Sequence, residues 1–153
     1  MNKIYFILFI TQLFFSSYLE AIEKGKWSFK KEDNWCYIGS IPTKEEGEYS
    51  KRGDVYILVY RMNKNPDMII QINAGYNYDE GKAVELRIDN DKFELFGQGD
   101  SAWSSNEDSK IIKAMIKGLN MTIIGFSSRG TLTTDTYNLN GFTAAHEKLK
   151  SDC

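Results

Sequence analysis

Val55-Tyr56-Ile57-Leu58-Val59-Tyr60 is an unbroken run of β-branched, aromatic and aliphatic side chains. A strand with one wet face alternates apolar and polar residues, so a run without alternation predicts a central strand covered on both faces. Downstream, a turn centred on Asn63-Lys64-Asn65-Pro66 leads into a second strand, Met68 to Ala74. Val84, Leu86 and Ile88 then alternate with Glu85, Arg87 and Asp89, which marks a strand with one solvated face. Asn90-Asp91 turns it into Lys92-Phe93-Glu94-Leu95-Phe96. Upstream, Trp27-Ser28-Phe29 and Cys36-Tyr37-Ile38 flank the polar turn Lys31-Glu32-Asp33-Asn34, the pattern of an antiparallel hairpin. The chain therefore reads as mostly β, built as an antiparallel meander.

Two helices interrupt that pattern. Ile111, Ile112, Met115, Ile116 and Leu119 recur at helical spacing while Lys110, Lys113 and Lys117 hold the opposite face. Ser105 and Asp108 form a capping arrangement at its start, and Gly118 stands where it stops. Met121 to Phe126, a turn at Ser127-Ser128-Arg129-Gly130 and the threonine-rich Thr131 to Tyr137 give another hairpin. Asn140 is then the expected N-cap of a C-terminal helix with Phe142, Ala145, His146 and Leu149 on one stripe. Four residues further along that stripe comes Cys153, facing the sheet that carries Cys36.

Met1-Asn2-Lys3 followed by the apolar run Ile4 to Phe15 has the charge and length of a secretory signal, and the run is too short to span a bilayer. Cleavage after Ala21 is expected, which makes residues 1–21 a signal peptide and 22–153 one domain, with no stable membrane span after cleavage. In an oxidising compartment two cysteines read as a disulfide, and Cys36–Cys153 is the one intramolecular pairing open to them. The 19 basic and 21 acidic residues give a net charge of −2, with both signs interspersed, so no nucleic-acid surface is indicated.

Candidate chemistry is thin. His146 is the single histidine and lies on the apolar side of its helix, where it reads as a structural side chain rather than a catalytic base. No metal cluster with recognisable spacing and no cofactor loop is present: Gly97-Gln98-Gly99-Asp100 reads as a glycine turn. Asp79-Glu80 reads as part of a solvated turn and Glu107-Asp108 as first-turn helix residues, not as paired acid and base. Arg52-Gly53-Asp54 is the tripeptide that animal integrins read, but it directly precedes the buried run at Val55 and reads first as the turn leading into a strand. The abundant aromatics read first as core and rim of a sandwich, and Trp103, in an expected loop after Gly99-Asp100-Ser101-Ala102, is the best placed of them to be exposed and stack on a sugar ring. The candidate binding residues are thus Arg52, Gly53, Asp54, Trp103 and Arg129.

Arg52-Gly53-Asp54-Val55-Tyr56-Ile57-Leu58-Val59, Phe93-Glu94-Leu95-Phe96 with Gly99-Asp100-Ser101-Ala102-Trp103, and Ser128-Arg129-Gly130-Thr131 through Thr134-Asp135-Thr136-Tyr137 to Gly141-Phe142-Thr143-Ala144-Ala145 together carry a resemblance. The sequence resembles the invasion-associated locus B family of alphaproteobacterial exported proteins over essentially the whole mature chain. That resemblance implies an immunoglobulin-like antiparallel β-sandwich in the periplasm, the cell envelope or the secreted fraction. It brings no catalytic residues with it. The functional expectation is a non-enzymatic protein that binds a protein or glycan at the envelope or at a host surface, with a carbohydrate- or small-ligand-binding module as the alternative.

Overall fold

The computed structural model describes residues 23–153, and the expected signal peptide at 1–21 lies outside them. Ten strands and two helices follow one another: β1 (Ser28–Lys31), β2 (Trp35–Ser40), β3 (Lys44–Gly47), β4 (Tyr56–Met62), β5 (Ile69–Asn73), β6 (Val84–Ile88), β7 (Asp91–Gln98), β8 (Ser101–Ser104), α1 (Asp108–Lys117), β9 (Asn120–Phe126), β10 (Leu132–Asn138) and α2 (Phe142–Asp152). Every strand pairing is antiparallel, in the order β1-β2-β4-β5-β8-β7-β6-β9-β10-β3.

That order is one continuous sheet, and the immunoglobulin-like division into two packed sheets is not confirmed. The reason is β8, which pairs on one side with β5 (Gln71↔Trp103) and on the other with β7 (Phe96↔Trp103), joining the two halves of the meander. The sheet also curls. After Ser40 the chain leaves β2 and crosses at Ile41-Pro42-Thr43 to the opposite edge, where β3 pairs with β10. Thr43 N donates to Thr136 O at 2.8 Å, Gly25 N to Ile41 O at 3.1 Å, and Trp27 Nε1 to Asn138 O at 2.9 Å. These bonds bring the two edges together at one end.

The curl gives the sheet an inner face, and the alternate residues Ile38, Ile57, Val59, Ile70, Ile72, Leu86, Ile88, Met121, Ile123 and Tyr137 are buried there. Both helices add to this core: Ile111, Ile112 and Met115 come from α1, and Phe142, Ala145, His146 and Leu149 from α2. Each large apolar side chain so removed from water contributes roughly 1.5–3 kcal/mol before chain entropy is counted. Trp27 meets Phe142 edge-on at 4.8 Å, which seats α2 beside the start of β1.

Several local expectations are corrected. In α1 the stripe ends at Met115: Ile116 is 37% exposed and Leu119 72% exposed. Gly118 leaves the helix in an extended conformation, so helical periodicity no longer places Leu119. A Cβ at Gly118 would come within 2.5 Å of Ile88 Cγ2, which explains the glycine at this crossing. The expected Ser105–Asp108 cap does not form. Asp108 Oδ1 instead accepts the Ile70 N–H at 2.8 Å, tying α1 to β5, and Glu107 is the N-cap, with no side-chain bond. For α2 the N-cap is Gly141 in the left-handed region rather than Asn140, whose N–H is taken by Asn138 Oδ1 at 2.8 Å. The turn after β6 is Asp89-Asn90, one residue earlier than read, with Asp89 at positive φ and its carboxylate accepting the Leu119 and Asn120 N–H groups.

Cys36 and Cys153 form a disulfide with Cα atoms 5.9 Å apart, joining β2 to the C-cap of α2. The same helix end is held by Lys31 Nζ, which donates to Asp152 O at 2.8 Å. A cation on the free carbonyls of a helix C-terminus is favourable by both hydrogen bonding and the helix dipole.

Candidate functional site

The segment between β3 and β4 places Arg52 against β10. Arg52 Nη1 donates to Asp135 Oδ1 at 2.7 Å, Nη2 to Asp135 Oδ2 at 2.6 Å, and Nε to Ala74 O at 2.7 Å. Both charged side chains are only 3% exposed. The guanidinium carbon lies 5.3 Å from the Tyr49 ring centroid and 5.1 Å from that of Tyr76, whose hydroxyl shares a 2.6 Å hydrogen bond with Thr133 Oγ1. Burial opposes the Arg52 charge, but the hydrogen bonds and charge of Asp135 outweigh it and hold the guanidinium firmly protonated. For Asp135 burial is the larger influence and pushes the carboxyl up, with Arg52 pulling it back. A two-point Arg–carboxylate fork in a dry setting is a rigid structural element, and it sits at the floor of a cavity.

That cavity, about 530 Å³, is lined by the chain on either side of Arg52, by Gly75-Tyr76-Asn77 and by the β9–β10 turn including Arg129. The backbone of Gly53 is pressed against Gly75: Gly53 N donates to Gly75 O at 2.9 Å, and a Cβ at Gly75, where φ is +70°, would meet Gly53 O at 2.4 Å. No larger residue fits either the conformation or the space at position 75. The β9–β10 turn is organised by Ser127, whose Oγ accepts the Arg129 N–H at 3.3 Å and the Thr131 N–H at 3.1 Å. Its rim presents Lys51 and Arg129 as exposed cations and Glu48 as an exposed carboxylate.

The five candidate binding residues separate accordingly. Arg52, Gly53 and Arg129 line one cavity although Arg52 and Arg129 are 77 positions apart in sequence. Asp54 is exposed and lines the adjoining concavity with Tyr56 and Asp100. Because Arg52 points into the fold, the tripeptide presents its aspartate to solvent but not its arginine. Trp103 belongs to β8 rather than a loop and is half-buried, in register with Gln71 and with Phe96, which is 47% exposed. Sequence reasoning missed Tyr49, Tyr76, Thr133 and Ser127 at the cavity. No spacing within one segment signals them, since the strands that carry them are brought together only by the fold.

His146 is seated within the core side of α2, its ring 5.9 Å from that of Phe142 and its Nδ1 3.6 Å from Glu147 Oε1. Burial pushes the imidazole below its ordinary range. Among the described residues no group of three or more His, Cys, Asp or Glu is arranged to hold a metal ion, and no described helix is long and apolar enough to cross a membrane.

A comparison with curated proteins finds no match. Among solved structures, the crystal structure of invasion associated protein B from Bartonella henselae is similar in fold, with a TM-score of 0.60 and 18% identity over 84% of this chain and 94% of that one. The family model described as invasion associated locus B (IalB) protein matches residues 27–150, from the indole that closes the curled edge to the last turn of α2. By that match the chain belongs to the invasion associated locus B family.

Proposed function

We propose that this is a non-enzymatic exported protein, held in the periplasm or secreted, that binds a partner at the cell envelope or a host surface through the loops around the Arg52 cavity. Family membership and the Cys36–Cys153 disulfide support export, because such a bond persists outside the reducing cytosol. The single observation that carries the binding reading is the cavity itself. A concave, polar surface stands on a floor made rigid by the Arg52–Asp135 fork, and fixed walls lower the ordering cost of binding. A photo-crosslinking residue at exposed Ser128 tests it in intact cells. A discrete adduct that is lost when the crosslinker is moved to exposed Lys113, on α1, supports the reading; no adduct from Ser128 in any growth condition overturns it.

A glycan platform at Trp103 is the second reading, favoured by the register of Trp103 with the exposed Phe96 on one sheet face. Trp103→Ala should then abolish retention on immobilised polysaccharide, and unchanged retention removes it.

A further inference from the structure

We infer that the cavity above the Arg52–Asp135 pair is a binding site for an acidic saccharide, one that carries a carboxylate. This rests on the binding reading above and names its ligand. The first reason is donor chemistry. Ser127 is 8% exposed and its Oγ accepts two backbone N–H groups, while its own proton meets no acceptor among the described residues. Tyr76 and Thr133 share one hydrogen bond, in which one hydroxyl proton is used and the other is left over; Thr133 is 2% exposed. Buried hydroxyl protons without acceptors are costly unless a ligand or solvent oxygen meets them. All three residues line the cavity.

The second reason is charge. Arg52 is neutralised by Asp135, with Glu45 Oε2 a further 4.0 Å from Nη1, so the guanidinium does not reach out to a ligand. Lys51 and Arg129 line the same cavity without an ion-pair partner among the described residues, against the single lining carboxylate of Glu48. Two exposed cations and two spare hydroxyl donors lining one cavity suit an acceptor-rich anion. The third reason is size and wall chemistry. About 530 Å³ suits one or two sugar rings, and serines, threonines and Asn77 suit a polyhydroxylated ligand, while Tyr49, 37% exposed, offers a ring to its apolar face.

The test is a titration of the oxidised protein with glucuronate, glucose and inorganic phosphate, followed by amide chemical shifts. Glucuronate should shift the amides of the Ser127–Thr133 segment. Lys51→Ala and Arg129→Ala, both at exposed positions, should each weaken binding about tenfold, the loss of one charge-assisted contact. Glu48→Gln should tighten it. Glucose binding as well as glucuronate, phosphate matching it, variants that bind like the wild type, or no shift at millimolar glucuronate would each overturn the inference. If no acidic sugar binds while the Ser128 crosslinker still captures a partner, the inference falls and the broader binding reading stands.

Discussion

Arg52 and Asp135, 83 positions apart in sequence, meet as a two-point ion pair with each terminal guanidinium nitrogen on its own carboxylate oxygen. Replacing Asp135 with Asn leaves a buried guanidinium with only the more distant Glu45, 4.0 Å from Nη1, as counter-charge, and denaturant unfolding should report a loss of about 3 kcal/mol. The double change Arg52→Met with Asp135→Leu removes both charges and should cost less than Asp135→Asn alone. A double variant that is as unstable as the sum of its singles would show that the pair does not act as a unit.

The disulfide encloses a sequence separation of 117 residues, for which the chain-entropy model gives about 4–5 kcal/mol. Cys36→Ser and Cys153→Ser should lower the thermal midpoint equally, and the double variant should be no worse than either single. Calorimetry of the three proteins and of the reduced wild type decides this.

His146 sets a pH dependence. Burial depresses its folded-state pKa, with Glu147 opposing the shift and Lys150 adding to it, so the unfolded chain binds the proton more readily. Stability is complete above the ordinary imidazole range and is lost as pH falls through that range toward the folded value. His146→Gln should flatten this loss, measured as urea midpoints at a series of mildly acidic pH values.

Tyr137 is fully buried, and its hydroxyl finds no hydrogen-bond partner among the described residues. Removing an unsatisfied group should cost nothing, so Tyr137→Phe is expected to be neutral or stabilising. A clear loss of stability would reveal an interaction of that oxygen.

Most of the strand pattern was legible because inward apolar residues carry it. Val84, Leu86 and Ile88 in β6 report their burial in the sequence itself; in β4 only Ile57 and Val59 are buried, while Tyr56, Leu58 and Tyr60 are half-buried, so its unbroken apolar run overstated the cover on the second face. The disulfide was legible for the same reason, since the stripe Phe142, Ala145, His146, Leu149 points Cys153 at the sheet. What escaped was whatever is held by backbone pairing alone. The strand β3 is Lys-Glu-Glu-Gly, wholly exposed and attached through its ladder to β10, and β8 is a strand of only four residues that joins two halves of a sheet. Neither has a periodicity to read. The cavity escaped likewise, because Ser127, Tyr76 and Thr133 come together through register between distant strands, and no spacing within one segment encodes that.

The span from Cys36 to Cys153 also constrains when the molecule can be finished. With Cys36 and Cys153 lying 117 positions apart, on the order of ten seconds of ribosomal synthesis separates their appearance. During that interval the first hairpin carries a thiol whose partner does not yet exist. The bond therefore cannot close before the end of α2 has been made, long after β1 and β2.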